Sequence, residues 1–187
     1  MAVLEQEPTV YPEDLFSSVD CCDGTGRRWW AIHTRPRAEK ALARRLYSKD
    51  VAYFLPMHER QRRVQRRLVR SYIPLFPGYL FLKGSDDERR AALETNYVAT
   101  CLAVESQQQL FDDLRSVHEL IASGVPLTPE HRVEPGRVVQ ITGGPLAGHR
   151  GMVLRRGCGR LVKFFVEIKM LQRGVSVEVD ASMIQPV

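Results

Sequence analysis

Six arginines, Arg60, Arg62, Arg63, Arg66, Arg67 and Arg70, fall within residues 60–70. A guanidinium is always charged and carries a planar fork of N–H donors, a geometry that grips a phosphate. The run therefore points to a polyanionic partner, with a solvated surface loop as the competing reading. A second basic set follows a different rule. Arg37, Lys40 and Arg44 stand at i, i+3 and i+7, with Arg35 just before them. On a helix that spacing makes one stripe.

Catalytic chemistry finds no such pattern. His33, His58, His118, His131 and His149 are scattered, and no Ser/His/Asp or Cys/His set stands at a meaningful spacing. The glycine-rich stretch Gly143–Gly148 is followed by no Lys-Ser/Thr, so it is not a phosphate-binding loop. Cys21, Cys22, Cys101 and Cys158 form no C-x-x-C and have no histidine at ligand spacing, which argues against zinc and for reduced thiols. The expectation is a protein that is not an enzyme, with no catalytic residues, no metal and no cofactor.

Charge sharpens the partner class. The 187 residues carry a formal +5. Residues 1–26 hold Glu5, Glu7, Glu13, Asp14, Asp20 and Asp23 and no Lys or Arg, a net −6. The rest holds 27 basic against 16 acidic residues, a net +11. A basic body behind an acidic tail suits a polyanionic partner, with a solvated basic face as the competing reading. No apolar stretch approaches the roughly 18 residues that a spanning helix needs, and no signal peptide opens the chain, so a cytoplasmic location without membrane contact is expected.

The elements that must carry these residues are legible from periodicity. Residues 1–27 lack it and read as a mobile acidic tail. RWWAIHT at 28–34 reads as a strand, and Pro36 as the first position of a helix to about Lys49. Ala38, Leu42 and Leu46 make that helix's apolar face. AYFLPMHE at 52–59 reads as a strand leading into the arginine run, and SYIPLF at 71–76 as the return, so the arginines ride on a protruding hairpin or loop. GYLFLKG at 78–84 is a strand, 86–96 a short helix, 98–104 a strand, and 107–122 a helix faced by Leu110, Leu114, Val117 and Ile121. Prolines and glycines then mark a linker at 124–134. Residues 135–187 hold short β-rich runs between glycines, the texture of a small SH3-like barrel.

Two stretches resemble a known family. PLFPGYLFL (74–82) resembles the signature strand of the N-terminal domain of NusG-type transcription elongation factors, and GRVVQITGGPLAGHRGMV (136–153) resembles the KOW motif of their C-terminal barrel. Order and spacing fit as well, over about residues 28–187. MLQRGVSVEVD (170–180) looks closer to specialised NusG paralogues, the RfaH-like and polysaccharide-operon antiterminators. The implied fold class is α+β: an N-terminal domain at 28–123, an antiparallel sheet flanked by helices, followed by the KOW barrel at 135–187.

The resemblance also implies roles. The protein would be a monomer that docks on RNA polymerase, contacts DNA of the transcription bubble and suppresses pausing or termination, at particular operons. Tyr79, Phe81 and Phe76 fall where the family meets the polymerase clamp. In Y-L-F-L, residues 79 and 81 face one way and Leu80 and Leu82 the other, so one face can pack inward while the other meets a partner. Arg89 and Arg90 lie near a second polymerase contact. His33, Arg35, Arg37, Lys40 and Arg44 would face the non-template strand by charge and stacking. Arg62, Arg63, Arg66 and Arg67 would reach that strand or the upstream duplex. Met170 and Leu171 occupy a barrel loop that in relatives contacts a ribosomal protein or Rho. The alternative of another class is an RNA-binding or ribosome-associated KOW protein. A loose linker would leave the two domains weakly coupled.

Overall fold

The structure, a computed structural model, describes residues 8–17, 26–64, 67–131, 136–156 and 161–187. The chain divides into two compact units, Met1–Gln108 and Gln109–Val187.

The first unit is built on a five-stranded antiparallel sheet. Its strands are β1 (Val10–Tyr11), β2 (Arg28–Thr34), β3 (Ala52–Phe54), β6 (Tyr79–Gly84) and β7 (Val98–Leu102). They lie in the order β1-β3-β6-β2-β7. The central pair, β2 with β6, sets Trp30 opposite Leu82 and Ile32 opposite Leu80. Period-two alternation then sorts the side chains. Ile32, Leu80 and Leu82 join one apolar cluster with Leu42, Ala43 and Leu46 of α1 (Glu39–Tyr47) and Ala92 of α2 (Asp86–Leu93). Ser85 and Glu88 close a reciprocal capping box at the start of α2.

The opposite sheet face is also covered, and this corrects two expectations. The sequence places residues 8–17 in a mobile tail. Instead β1 pairs with β3, and Leu15 and Phe16 are buried. Phe16 stacks on Trp29 and meets Phe54 edge-on, so apolar burial holds the segment down. Residues 1–7 and 18–25 of that expected tail lie outside the described residues. Phe81, expected on an open face, is 0% exposed, and Phe76, which meets it edge-on, is 1% exposed.

Two local boundaries also shift. The helix expected from Pro36 starts at Glu39, because Arg37 takes a left-handed backbone (φ 61°) that a helix cannot include. The single strand expected over 52–59 breaks at Leu55-Pro56 into β3 and β4 (Met57–Val64). Proline has no N–H to give a sheet. Beyond it β4 pairs with β5 (Arg67–Pro74), and these two form a separate two-stranded sheet. The expected arginine hairpin is therefore present.

The second unit holds most of α3 (Gln107–Ala122) and a six-stranded antiparallel sheet. Its strands are β8 (Thr128–His131), β9 (Arg137–Ile141), β10 (Arg150–Arg156), β11 (Leu161–Ile168), β12 (Arg173–Asp180) and β13 (Ile184–Pro186). Their order is β13-β9-β10-β11-β12-β8. Val162, Phe164, Val166, Ile168, Val175 and Val177 are buried, as alternating β-branched and aromatic residues should be. Gly174 is required where it stands: a Cβ there would collide with the Val166 carbonyl. The expected linker at 124–134 contains β8, which pairs with β12 from Arg173 to Ser176. Composition places the domain boundary after residue 123, whereas the compact units divide between Gln108 and Gln109.

Candidate nucleic-acid interface

The junction between β2 and α1 is held by backbone bonds from two directions. The Thr34 N–H donates to the Gly78 carbonyl at 2.8 Å, and the Arg35 N–H to the Tyr97 carbonyl at 2.8 Å. Arg35 and Arg37 are exposed on this loop, Arg44 is exposed on the helix, and Lys40 is half-exposed. His33 is exposed beside Tyr79, with ring centroids 5.1 Å apart. The five residues expected to face single-stranded DNA thus lie along β2, the junction and α1 of one unit.

The structure adds two residues to that surface. Ala41, Arg44, Arg45, Ser48 and Tyr97 line an open cleft of about 270 Å³. Tyr97 is 38% exposed. Two guanidiniums and a phenol ring can take a phosphate and stack a base. Arg45 directly follows Arg44 and is within reach of sequence reasoning. Tyr97 is not, since it stands just ahead of β7 and only the fold brings it to α1.

The hairpin contributes backbone geometry. Arg62 pairs with Val69, Arg63 with Leu68, and Val64 with Arg67, so these arginines lie in the distal half of the ribbon. Arg66 lies outside the described residues. Nearer the base, Arg60 and Arg70 are exposed, and Arg70 lies 3.4 Å from Glu59. His58, at the same base, is held below its ordinary pKa by burial and by the charge of Arg60.

The residues expected to meet polymerase are distributed differently from expectation. Tyr79 is half-buried at the end of β6, next to exposed Pro77, while Phe76 and Phe81 are core. Arg89 is engaged locally. Its guanidinium lies over the Trp30 ring at 4.8 Å, Arg28 lies over the same ring at 4.2 Å, and both reach Asp86. Arg90 is exposed and 3.7 Å from Asp87.

In the second unit, Met170 and Leu171 stand on a single 3-10 turn, Lys169–Leu171, and both are half-buried. This turn is tied to α3. Asp113 accepts from the Lys169 N–H at 3.0 Å and from Gln109 Nε2 at 2.7 Å, and Lys169 Nζ donates to Gln109 Oε1 at 3.1 Å. Burial pushes the Asp113 carboxyl above its ordinary range, against the opposing pull of the Lys169 amide and Gln109. Sequence reasoning missed Asp113, because its partner is a backbone group on a distant turn.

Among the described residues no cluster of His, Cys, Asp and Glu could hold a metal ion, and no helix is long and apolar enough to cross a membrane.

Residues 27–118 match the family model described as transcription termination factor nusG. No curated protein matches the chain. Among solved structures, one titled "Domain interaction in Thermotoga maritima NusG" is similar with a TM-score of 0.52 and 18% identity, covering 86% of this chain and 97% of that one. A chain of the structure titled "Crystal Structure of MjSpt4:Spt5 complex conformation B" matches at 16% identity with a TM-score of 0.26, covering 85% of this chain and 96% of that one.

Proposed function

We propose, from the match of residues 27–118 to the NusG family model, that this protein is a transcription elongation factor that binds RNA polymerase and DNA of the transcription bubble. The observation that carries the DNA part is the cleft at Arg44, Arg45 and Tyr97, whose Tyr97 carbonyl accepts from the N–H of exposed Arg35. Cations track a phosphate backbone, and an accessible ring stacks a base without demanding sequence. The arginine hairpin extends this basic reach toward the non-template strand or the upstream duplex.

In this reading Tyr79 and Pro77 touch polymerase directly, with Phe76 and Phe81 supporting them from beneath. Arg90 is the second contact, and Arg89 is held in place by Trp30 and Asp86. A factor that binds one polymerase conformation more tightly than another shifts the population toward it. Binding that favours the closed, elongating form makes pausing and termination rarer. The Met170-Leu171 turn would take a second partner, a ribosomal protein or Rho. The likeness of 170–180 to RfaH-like paralogues supports action at particular operons.

The test is co-sedimentation of the full chain with RNA polymerase elongation complexes assembled on a nucleic-acid scaffold. Stoichiometric recovery supports the reading, and recovery with ribosomes or ribosomal RNA instead defeats it.

A further inference from the structure

Glu39 is a buried carboxylate, 7% exposed, in the first turn of α1. A charge out of water is retained only where hydrogen bonds compensate its lost hydration. Its Oε1 accepts from the Gly78 N–H at 2.7 Å, a short charge-assisted bond. The Gly78 carbonyl in turn accepts from the Thr34 N–H at 2.8 Å. Both backbone groups of Gly78 are thus fastened to the β2–α1 segment, one by each end of the junction. Gly78 itself sits at φ +83°, and a Cβ there would press on His33 Nε2 at 3.3 Å. Only glycine takes that conformation without strain and leaves the ring its place.

The two elements so joined carry different contacts. The β2–α1 segment presents Arg35, Arg37 and Lys40, and Gly78 leads directly into Tyr79, whose ring neighbours His33. We infer that Glu39 is a positioning residue that holds the Tyr79 turn and the basic β2–α1 loop in one fixed register, so that polymerase and DNA are bound together more tightly than the two separate contacts would give. The inference rests on the proposed function for the identity of the two partners. Its physical basis is pre-organisation: two contacts already held in one relative register lose less relative freedom when both are engaged at once. Glu39 touches neither partner, since it is buried under the loop.

The experiment compares Glu39→Ala and Glu39→Gln with the unaltered full-length chain. Glutamine keeps an acceptor oxygen for the Gly78 amide and drops the charge. Three affinities are measured: for a labelled single-stranded DNA oligonucleotide, for RNA polymerase core enzyme without nucleic acid, and for an assembled elongation complex. The Gly78 amide proton shift in NMR reports the bond itself. The expected result is a loss of about tenfold in affinity for the elongation complex in Glu39→Ala, the size of one ordinary hydrogen bond. The two separate affinities should change less than about twofold, and Glu39→Gln should restore most of the loss. An upfield move of the Gly78 amide in Glu39→Ala should accompany it. Equal losses in all three affinities would make Glu39 a general fold stabiliser and overturn the inference, as would no loss for the elongation complex. If the unaltered chain binds no polymerase, the proposed function fails. The Gly78 shift and its rescue in Glu39→Gln would still show whether the latch exists.

Discussion

Phe16 stacks on Trp29 with ring centroids 5.7 Å apart and planes 12° from parallel, and the same ring meets Phe54 edge-on at 5.0 Å. A residue ahead of the stretch that matches the family model therefore supplies part of the core of the first unit. Phe16→Ala should cost about 3–5 kcal/mol, because the site cannot fully collapse around the missing ring. Thermal unfolding should show the melting point of the first unit falling by roughly 13–22 °C. An unchanged melting point would return residues 8–17 to the status of a loose tail.

Tyr79 and Phe81 are two residues apart on β6 but are predicted to fail differently. Phe81→Ala should destabilise the unit by about 3–5 kcal/mol, as for any large core truncation. Tyr79→Ala should leave native circular dichroism and weaken polymerase binding by about 2 kcal/mol, the scale of an aromatic anchor at an interface. Calorimetry on both variants, with a polymerase pull-down, separates the two outcomes. Retained binding by a folded Tyr79→Ala variant removes Tyr79 from the docking surface.

Arg44, Arg45 and Tyr97 should separate charge from stacking. Replacing both arginines by alanine should lower affinity for single-stranded DNA and reduce the log–log salt slope by about 0.7 for each phosphate left without its cation. Tyr97→Ala should lower affinity by about 1–3 kcal/mol while leaving the slope nearly unchanged, since a ring carries no charge to release counterions. Fluorescence anisotropy across a salt series measures both. A slope insensitive to the arginines would leave the cleft as ordinary wet surface.

Asp113 gives the second unit a pH dependence with a definite sign. Its folded-state pKa lies above the ordinary value. Between those two values the native protein binds more protons than the unfolded chain, so stability falls as pH rises through that window and levels off above it. Asp113→Asn should flatten this slope, because it keeps an acceptor oxygen for the Lys169 amide without the buried charge. Asp113→Ala should instead lose about 1–3 kcal/mol, with the Lys169 N–H left unpaired. Urea unfolding from about pH 4 to pH 7, followed by the Lys169 amide signal, reads both. Identical slopes in the Asn variant and the parent would show that another group titrates.

Much of this architecture is legible in the sequence because period and punctuation agree. The aromatic-rich run RWWAIHT and the apolar run YLFLKG between glycines mark β2 and β6, and the glycine-separated β-branched runs mark the strands of the second unit. What stays hidden depends on contacts distant in sequence. Leu15 and Phe16 show no periodic pattern, and only the sheet face they cover explains their burial. The strand β8 lies in a proline-containing stretch whose pairing partner is more than forty residues on, from Arg173 to Ser176. Arg37 has the spacing of a helical residue, but its left-handed backbone places it in the turn before α1. The basic half of the candidate site is readable from spacing, whereas Tyr97 and Glu39 join it only through the fold.

The central claim is that this chain acts on elongating polymerase, and it is tested most directly by timing transcription. Purified elongation complexes are released from a fixed start, and the dwell at a known pause site is followed with and without the full-length protein. The account predicts a shorter dwell, a loss of that effect in folded Tyr79→Ala, and partial loss when Arg44 and Arg45 are both alanine. An unchanged dwell at saturating protein, on templates with and without candidate operon leader sequences, would contradict it.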